Sequence, residues 1–104
     1  MSLPKQFTDT QLTRILDQSL LYQCACPAQV CRTLMTMREL HDYQLRCIDR
    51  NETDRKVHAL IAESTAACHR ELESCLAEIL ALEGWDIKTL EMPEALRKLQ
   101  DSLI

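Results

Sequence analysis

A near absence of helix-breaking residues is the feature that most limits what this chain can fold into. Its 104 residues include one glycine and three prolines, and Leu, Ala, Glu, Arg, Gln and Met recur throughout. These residue types lose little conformational freedom in a helix and are weak strand formers. The sequence therefore predicts an all-α fold. A chain of this length can bury enough apolar surface to form one domain, residues 1–104, without disulfides or a structural metal.

The start of the first two helices is marked by capping residues. Thr8-x-x-Gln11 is a capping box, and the preceding Phe7 can pack against the first turn. Pro27 cannot continue a helix because it has no N–H, but it suits the first turn of a new one. We therefore expect a turn at residues 24–26 and the start of helix 2 there.

The remaining boundaries are also indicated by residue type. Residues 49–56 include no apolar side chain, which predicts a turn with Asp49 or Asn51 as the next cap. Gly84 is expected to close helix 3 in the left-handed conformation. Pro93 then opens a short C-terminal helix.

Apolar residues recur at helical spacing along each predicted helix, and these rows are the faces that we expect to be buried. They comprise Leu12, Ile15, Leu16, Leu20 and Gln23 on helix 1; Val30, Leu34, Met37, His41, Leu45 and Ile48 on helix 2; Val57, Ile61, Ser64, Cys68, Leu72, Cys75, Ile79 and Leu82 on helix 3; and Leu96, Leu99 and Leu103 on the last helix. Short connections between such helices predict an antiparallel bundle of three main helices, closed by the short C-terminal helix.

Charge and hydropathy limit the classes of partner. The formal net charge is -4 and four residues are aromatic, so the chain lacks the basic patch and the stacking platform that nucleic-acid binding requires. No stretch approaches the roughly 20 apolar residues of a membrane span, and residues 1–6 lack the apolar core of a secretory signal. We expect a cytoplasmic protein with neither nucleic acid nor membrane as its partner.

The six cysteines take their meaning from that compartment. Cytosolic thiols are kept reduced, so a cysteine-rich cytosolic chain is more often a metal-binding or redox protein than a disulfide-linked one. Antiparallel packing about a turn near residue 51 places Cys31 level with Cys68 to Arg70, and the turn at residues 24–26 near Cys75. All of the cysteines except Cys47 are then expected at one end of the bundle.

A metal site is the leading functional hypothesis from this arrangement. Its candidate ligands are Cys24, Cys26, Cys31, Cys68 and Cys75, with His69 as the nearest non-sulfur donor. Thiolates favour zinc, copper(I) or an iron–sulfur cluster. The spacing matches neither the paired Cys-x-x-Cys of zinc ribbons nor the ferredoxin series, so the hypothesis depends on clustering alone.

Three other interpretations are open. Cysteine is among the most buried residue types, so these side chains can simply fill the core. Cys26 lies where the positive end of the helix 2 dipole would favour its thiolate, as in a thiol redox sensor. The long amphipathic helices also fit an interaction module that forms a homodimer or docks a partner helix, with cysteine as ordinary core.

Enzymatic activity is not expected. A single glycine rules out a glycine-rich phosphate loop. No histidine follows a glutamate at the three-residue spacing of di-iron carboxylate bundles. No cysteine and histidine are placed by the sequence as a nucleophile with its base.

Overall fold

The computed structural model of the chain describes residues 3–19 and 26–96. Three helices follow one another: α1 over Asp9–Ser19, α2 over Cys26–Arg46 and α3 over Glu52–Glu83. A further helical turn covers residues 94–96, and the described ranges include no strand. Helix α2 packs against both α1 and α3. The predicted all-α class is therefore confirmed.

The first two helix starts agree with the sequence prediction. The side-chain oxygens of Thr8 and Gln11 each accept a hydrogen bond from the backbone N–H of the other residue, at 3.1 and 2.9 Å, which completes the capping box. Helix α2 begins at Cys26, with Pro27 as its second residue. The fixed backbone angle of proline suits this first turn.

The boundaries of α3 are also set by the predicted residues. The Asn51 side chain accepts a hydrogen bond from the backbone N–H of Asp54 at 2.8 Å, so Asn51 is the N-cap. Gly84 closes the helix with φ at 81°, a conformation that glycine adopts without steric cost. After Pro93 the chain turns helical at residues 94–96, whereas the predicted Leu99 and Leu103 lie outside the described residues.

An apolar core forms where α1, α2, α3 and the segment after α3 meet. Its buried members are Phe7, Leu12, Ile15, Cys31, Leu34, Leu76, Leu80, Trp85, Leu90 and Met92. The segment after α3 is held on α1 by polar contacts as well. Arg14 Nε donates to the Thr89 carbonyl at 3.2 Å, and the Met92 N–H donates to Gln18 Oε1 at 3.3 Å.

Further along α2 and α3, the interface between these helices changes from apolar to polar. Helix α3 buries a polar row, Thr65, His69 and Glu73, in line with Leu76 and Leu80. Helix α2 buries Arg38, His41 and Gln44 in the same way. Buried polar groups destabilise a fold unless they are hydrogen-bonded. The hydrogen-bond partners of these two rows therefore determine whether the rows can be buried.

Arg38 supplies hydrogen-bond partners to two residues of the α3 row, His69 and Glu73. Its Nε donates to His69 Nε2 at 3.0 Å, and its Nη2 donates to the Phe7 carbonyl at 2.6 Å and to Glu73 Oε2 at 3.2 Å. Its Nη1 donates to Asp9 Oδ1 at 2.5 Å, and this hydrogen bond lowers the pKa of Asp9. One guanidinium thus joins α2 to α1, to α3 and to the segment before α1.

Glu73 completes the network from the α3 side. Besides Arg38, its carboxylate accepts hydrogen bonds from the backbone N–H groups of Gln6 and Phe7 at 2.8 to 2.9 Å. Its side chain is 4% exposed, so the carboxylate depends on these donors in place of water. Removing one member of such a buried ion pair typically costs about 3 to 5 kcal/mol.

His69 is fully buried and neutral in this network. Because its Nε2 accepts from Arg38, its proton is on Nδ1, which lies 3.6 Å from Glu73 Oε1 and has no hydrogen-bond partner. A separation of 3.6 Å is too long for a hydrogen bond. Burial lowers the pKa of His69, against a smaller opposing effect of the Glu73 charge.

On α3, the predicted choice of buried face is wrong. The row from Val57 to Leu82 was expected to be core, but none of its eight residues is buried. The helix instead turns its polar row toward α2, because Arg38 and the segment before α1 satisfy His69 and Glu73 together. The apolar row consequently lies at the edge of the core, where half-buried Leu72 still packs against it.

We expect His69 to make stability fall as the pH drops below about 7, because its pKa is lowered in the folded protein. As the pH falls through about 6.5, the unfolded chain takes up a proton at this position while the folded protein does not, so the free energy of unfolding falls. His69→Gln, which keeps an acceptor for Arg38, should remove this part of the dependence. Chemical denaturation of both proteins across that pH range measures the difference.

His69→Leu is the matched comparison. It leaves Arg38 Nε buried without its acceptor, so we expect a loss of about 1 to 3 kcal/mol at pH 7. A pH dependence that is the same in the wild type and in His69→Gln would contradict this account of the neutral buried histidine.

Candidate functional site

An uncharged row of residues runs along the outside of α3. We call its members the outer stripe: Val57, Ile61, Ser64, Cys68, Leu72, Cys75, Ile79 and Leu82. Five of them are exposed and three are half-buried, and none carries a charge. Positions at this spacing keep to one side of a helix, so they form a continuous surface about 38 Å long.

The outer stripe borders α2 on one side. A groove of about 500 Å³ lies there, lined by Met37 of α2 and by Cys68, Leu72 and Cys75 of the stripe. The charged residues of its lining are Glu71 and Glu78, toward the outside of α3.

The segment before α1 covers a different side of α3. Pro4 and Gln6 lie beside Ala66, Arg70 and Glu73, whose positions are more than a quarter turn round the helix from the outer stripe. Within residues 3–19 and 26–96, the segment before α1 therefore covers one side of α3, whereas none of the outer-stripe residues is buried.

Exposure on this scale is unusual for large apolar side chains. Leu82 is 87% exposed and Val57 45%. Single exposed apolar residues are common on protein surfaces, but a contiguous apolar patch rimmed by polar groups is typical of an interaction site. Depletion of charge at the centre of a patch, with acidic residues at its edge, is also typical of the core and rim of an interface.

The structure distributes the predicted ligand cysteines over different environments. Cys26, the first residue of α2, is exposed, whereas Cys31 is in the apolar core. Cys68 and Cys75 are exposed on the outer stripe. Cys24 lies outside the described residues. The interpretation that these cysteines fill the core is therefore confirmed for Cys31 and wrong for Cys68 and Cys75.

The described residues contain no group of three His, Cys, Asp or Glu side chains placed to hold a metal ion. Cys68 and Cys75 are seven residues apart, about 10.5 Å along α3, whereas two thiolates on one zinc ion lie within about 4.6 Å of each other. Burial raises the pKa of Cys31 to about 11, so its thiol is protonated at neutral pH.

His69, the predicted non-sulfur ligand, already has a role in the described network. Its Nε2 accepts from Arg38, and both its nitrogens are buried in the interface of α2 with α3. Coordination through Nε2 would break the bond to Arg38. The metal hypothesis, which includes Cys24, and the redox hypothesis for Cys26 both remain predictions.

A second groove, of about 450 Å³, lies between α2 and α3 near the loop that joins them. Its apolar part is formed by Leu45, Ala59 and Ala62. Charged groups also line it, including Asp49 and His58, whose Oδ1 and Nδ1 atoms are 2.6 Å apart. This mixed lining is less suited to an apolar helix than the outer stripe is.

No helix in the described ranges is long and apolar enough to cross a membrane. No protein family, curated protein or solved structure was found to match this chain. The functional argument therefore depends on the residues and their geometry.

The hydropathy pattern of α3 identified the residues of the outer stripe but predicted that they would be buried in the core. The signal that favours the other face was an arginine, Arg38, at a core position of α2, in register with Leu34 and His41. A buried arginine requires acceptors on the facing helix, and α3 offers His69 and Glu73 one turn apart, on the side away from the stripe.

Thiol labelling tests this placement directly. In the purified, dilute protein at pH 8, we expect Cys68 and Cys75 to react rapidly with iodoacetamide. Cys31 should react at least about 100-fold more slowly, because its raised pKa lowers the thiolate fraction by that factor and burial excludes the reagent. Peptide mass spectrometry measures the rate at each residue. Equal rates at Cys31 and Cys75 would contradict the described orientation of α2 and α3.

Proposed function

We propose that this protein is a helical interaction module whose outer stripe docks an apolar helical face of another polypeptide. The single observation that carries the proposal is the stripe itself, eight uncharged positions over about 38 Å of α3 with none of them buried.

An antiparallel arrangement of α2 and α3 gives this surface its width. Contacts at two levels support that arrangement: Asp49 with His58 beside the connecting loop, and Arg38 with His69 further from it. Met37 then lies beside the middle of the stripe, as the groove lining indicates. The docking surface is a two-helix layer rather than one isolated helix.

The side chains of the stripe suit helix docking. Leu82, which is 87% exposed, can contribute about 1.5 to 3 kcal/mol when fully covered. Ile61 and Ile79 are already half-buried and contribute less. The small Ser64 and Cys75 side chains would let a partner helix approach closely between them, as ridges fit grooves in packed helices. Glu71 and Glu78 at the edge supply the charged rim that limits non-specific association.

Metal binding is a second candidate, favoured by one observation. Two exposed thiols, Cys68 and Cys75, and the thioether of Met37 line a single groove, and all three donors are of the soft kind that copper(I) prefers. A complete site would need ligands from outside the described residues or from another molecule. Both candidates fit a reducing compartment such as the cytoplasm, where these thiols stay free.

Thiol footprinting in the source cells tests the docking proposal. If a partner covers the stripe, Cys68 and Cys75 should label at least about 10-fold more slowly in intact cells than in the dilute purified protein. Cys26, which is exposed and outside the stripe, should change little. Labelling is compared residue by residue after rapid quenching.

Two controls separate docking from its alternatives. The protection should persist when a membrane-permeant chelator is present, which excludes a metal as its cause. It should disappear at Cys68 in Cys75→Glu, because burying a carboxylate in an apolar interface is costly, and remain in Ala81→Glu, which changes an exposed residue of α3 that is neither on the stripe nor in the groove beside it. Equal labelling of Cys68 and Cys75 in cells and in dilute solution would overturn the proposed function.

A further inference from the structure

Building on the proposed function, we propose that the polypeptide docked on the outer stripe is a second copy of this chain. The two copies pack back to back, with α3 antiparallel to α3 of the second copy. The result is a two-fold symmetric dimer with a four-helix core. Most soluble homo-oligomers are such two-fold dimers, in which the same patch is used twice.

The outer stripe is complementary to the same stripe of a second copy that runs in the opposite direction. When the second copy is turned end for end, its Val57 meets Leu82 and its Ile61 meets Ile79. Both pairings join large aliphatic side chains, and the two-fold axis generates each of them twice. The ends of the stripe are therefore both closed by apolar contacts.

The middle of the stripe matches in the same register. The second copy's Ser64 meets Cys75, so small faces small, and its Cys68 meets Leu72. Each facing pair is level to within about one residue, or 1.5 Å along the helix. Matching of size as well as hydropathy along the whole stripe is what a self-complementary interface requires.

The position of α2 favours the antiparallel arrangement over a parallel one. An axis across the helices lays α2 over the α2 of the second copy, with Met37 near the axis because it lies beside Cys68 and Leu72. An axis along the helices would place the two α2 helices on opposite sides and leave Met37 and the half-exposed Leu40 uncovered.

The positions of the glutamates at the edge of the stripe also favour the antiparallel pair. In a parallel pair, Glu71 and Glu78 would each lie level with the same residue of the second copy, so two like-charge contacts would form. In the antiparallel pair only the Glu71 side chains approach, at the solvent-exposed edge, whereas Glu78 lies level with Ile61 of the second copy.

The area of the surface is sufficient for a specific dimer. The outer stripe, about 38 Å long on α3, and the adjoining α2, 21 residues and so about 31 Å long, each on a helix about 10 Å wide, together present roughly 700 Å² per copy. Specific protein–protein interfaces bury about 800 Å² per partner. The two-helix layer thus matches an ordinary dimer interface without any further contact.

The experiment is site-specific disulfide trapping in the full chain. Ser64→Cys places a thiol opposite Cys75 of the second copy, within the range of Cα separations that disulfides accept. With oxidised glutathione as the oxidant, two thiols lose their protons and two electrons to it, and a sulfur–sulfur bond forms between positions 64 and 75. We expect most of the protein to become a covalent dimer carrying this link, read out by non-reducing electrophoresis and peptide mass spectrometry.

Ala81→Cys is the matched control, because it adds an exposed thiol on the same helix that is neither on the stripe nor in its groove, and it should give at least about 5-fold less dimer. In sedimentation equilibrium without oxidant, the wild type should show a concentration-dependent dimer. Cys75→Glu should weaken it at least about 10-fold, and Ala81→Glu should not. A link between the two position-64 thiols would show a parallel pair and overturn the proposal.

The remaining outcome separates this inference from the proposed function. If the wild type stays monomeric at all concentrations while Cys68 and Cys75 are protected in cells, the second copy is excluded and a different helical partner is required. If the wild type is monomeric and the two thiols are unprotected in cells, both proposals fail.

Discussion

The buried contact between Arg38 and Glu73 is the interaction on which the rest of the structure depends. It is made between side chains that are 8% and 4% exposed, and it draws in the backbone of residues 6 and 7 as well as His69. Two buried charges are tolerated only when each is paired and its remaining groups are hydrogen-bonded. That requirement fixes which side of α3 faces α2.

The orientation of α3 has a direct consequence for the surface. Helix α3 has 32 residues and carries apolar residues on more than one side. In a fold of three helices only one of these sides can be buried. Because the polar row is turned inward to meet Arg38, the outer stripe is turned away from α1 and from the segment before it. The buried polar network and the apolar outer surface therefore both follow from this one orientation of α3.

The sequence predicted the helix boundaries well because they depend on local chemistry. Thr8 with Gln11, Pro27, Asn51 and Gly84 act through their own backbone or that of a near neighbour, and each was in its expected place. Such interactions are complete within one turn of helix. They need no knowledge of the tertiary fold.

The buried face of α3 and the cysteine environments could not be predicted in the same way. Burial of His69 and Glu73 depends on donors from Arg38 and Phe7, more than 30 residues away in the sequence, whereas a hydropathy pattern weighs each side chain alone. The same error placed Cys68 and Cys75 in the core. The fourth helix and Cys24 lie largely or wholly outside the described residues, so those predictions stand as predictions.

The most direct test of the central claim is a double-mutant cycle on Arg38 and Glu73, measured as the free energy of unfolding at pH 7. Arg38→Met alone should cost about 3 to 5 kcal/mol, because it leaves the Glu73 carboxylate buried without a cation. Glu73→Met alone should cost less, because Arg38 keeps its ion pair with Asp9. Together they should cost about 2 to 3 kcal/mol less than the two single effects combined. Additive losses, with a coupling below about 0.5 kcal/mol, would contradict the view that this pair orients α3.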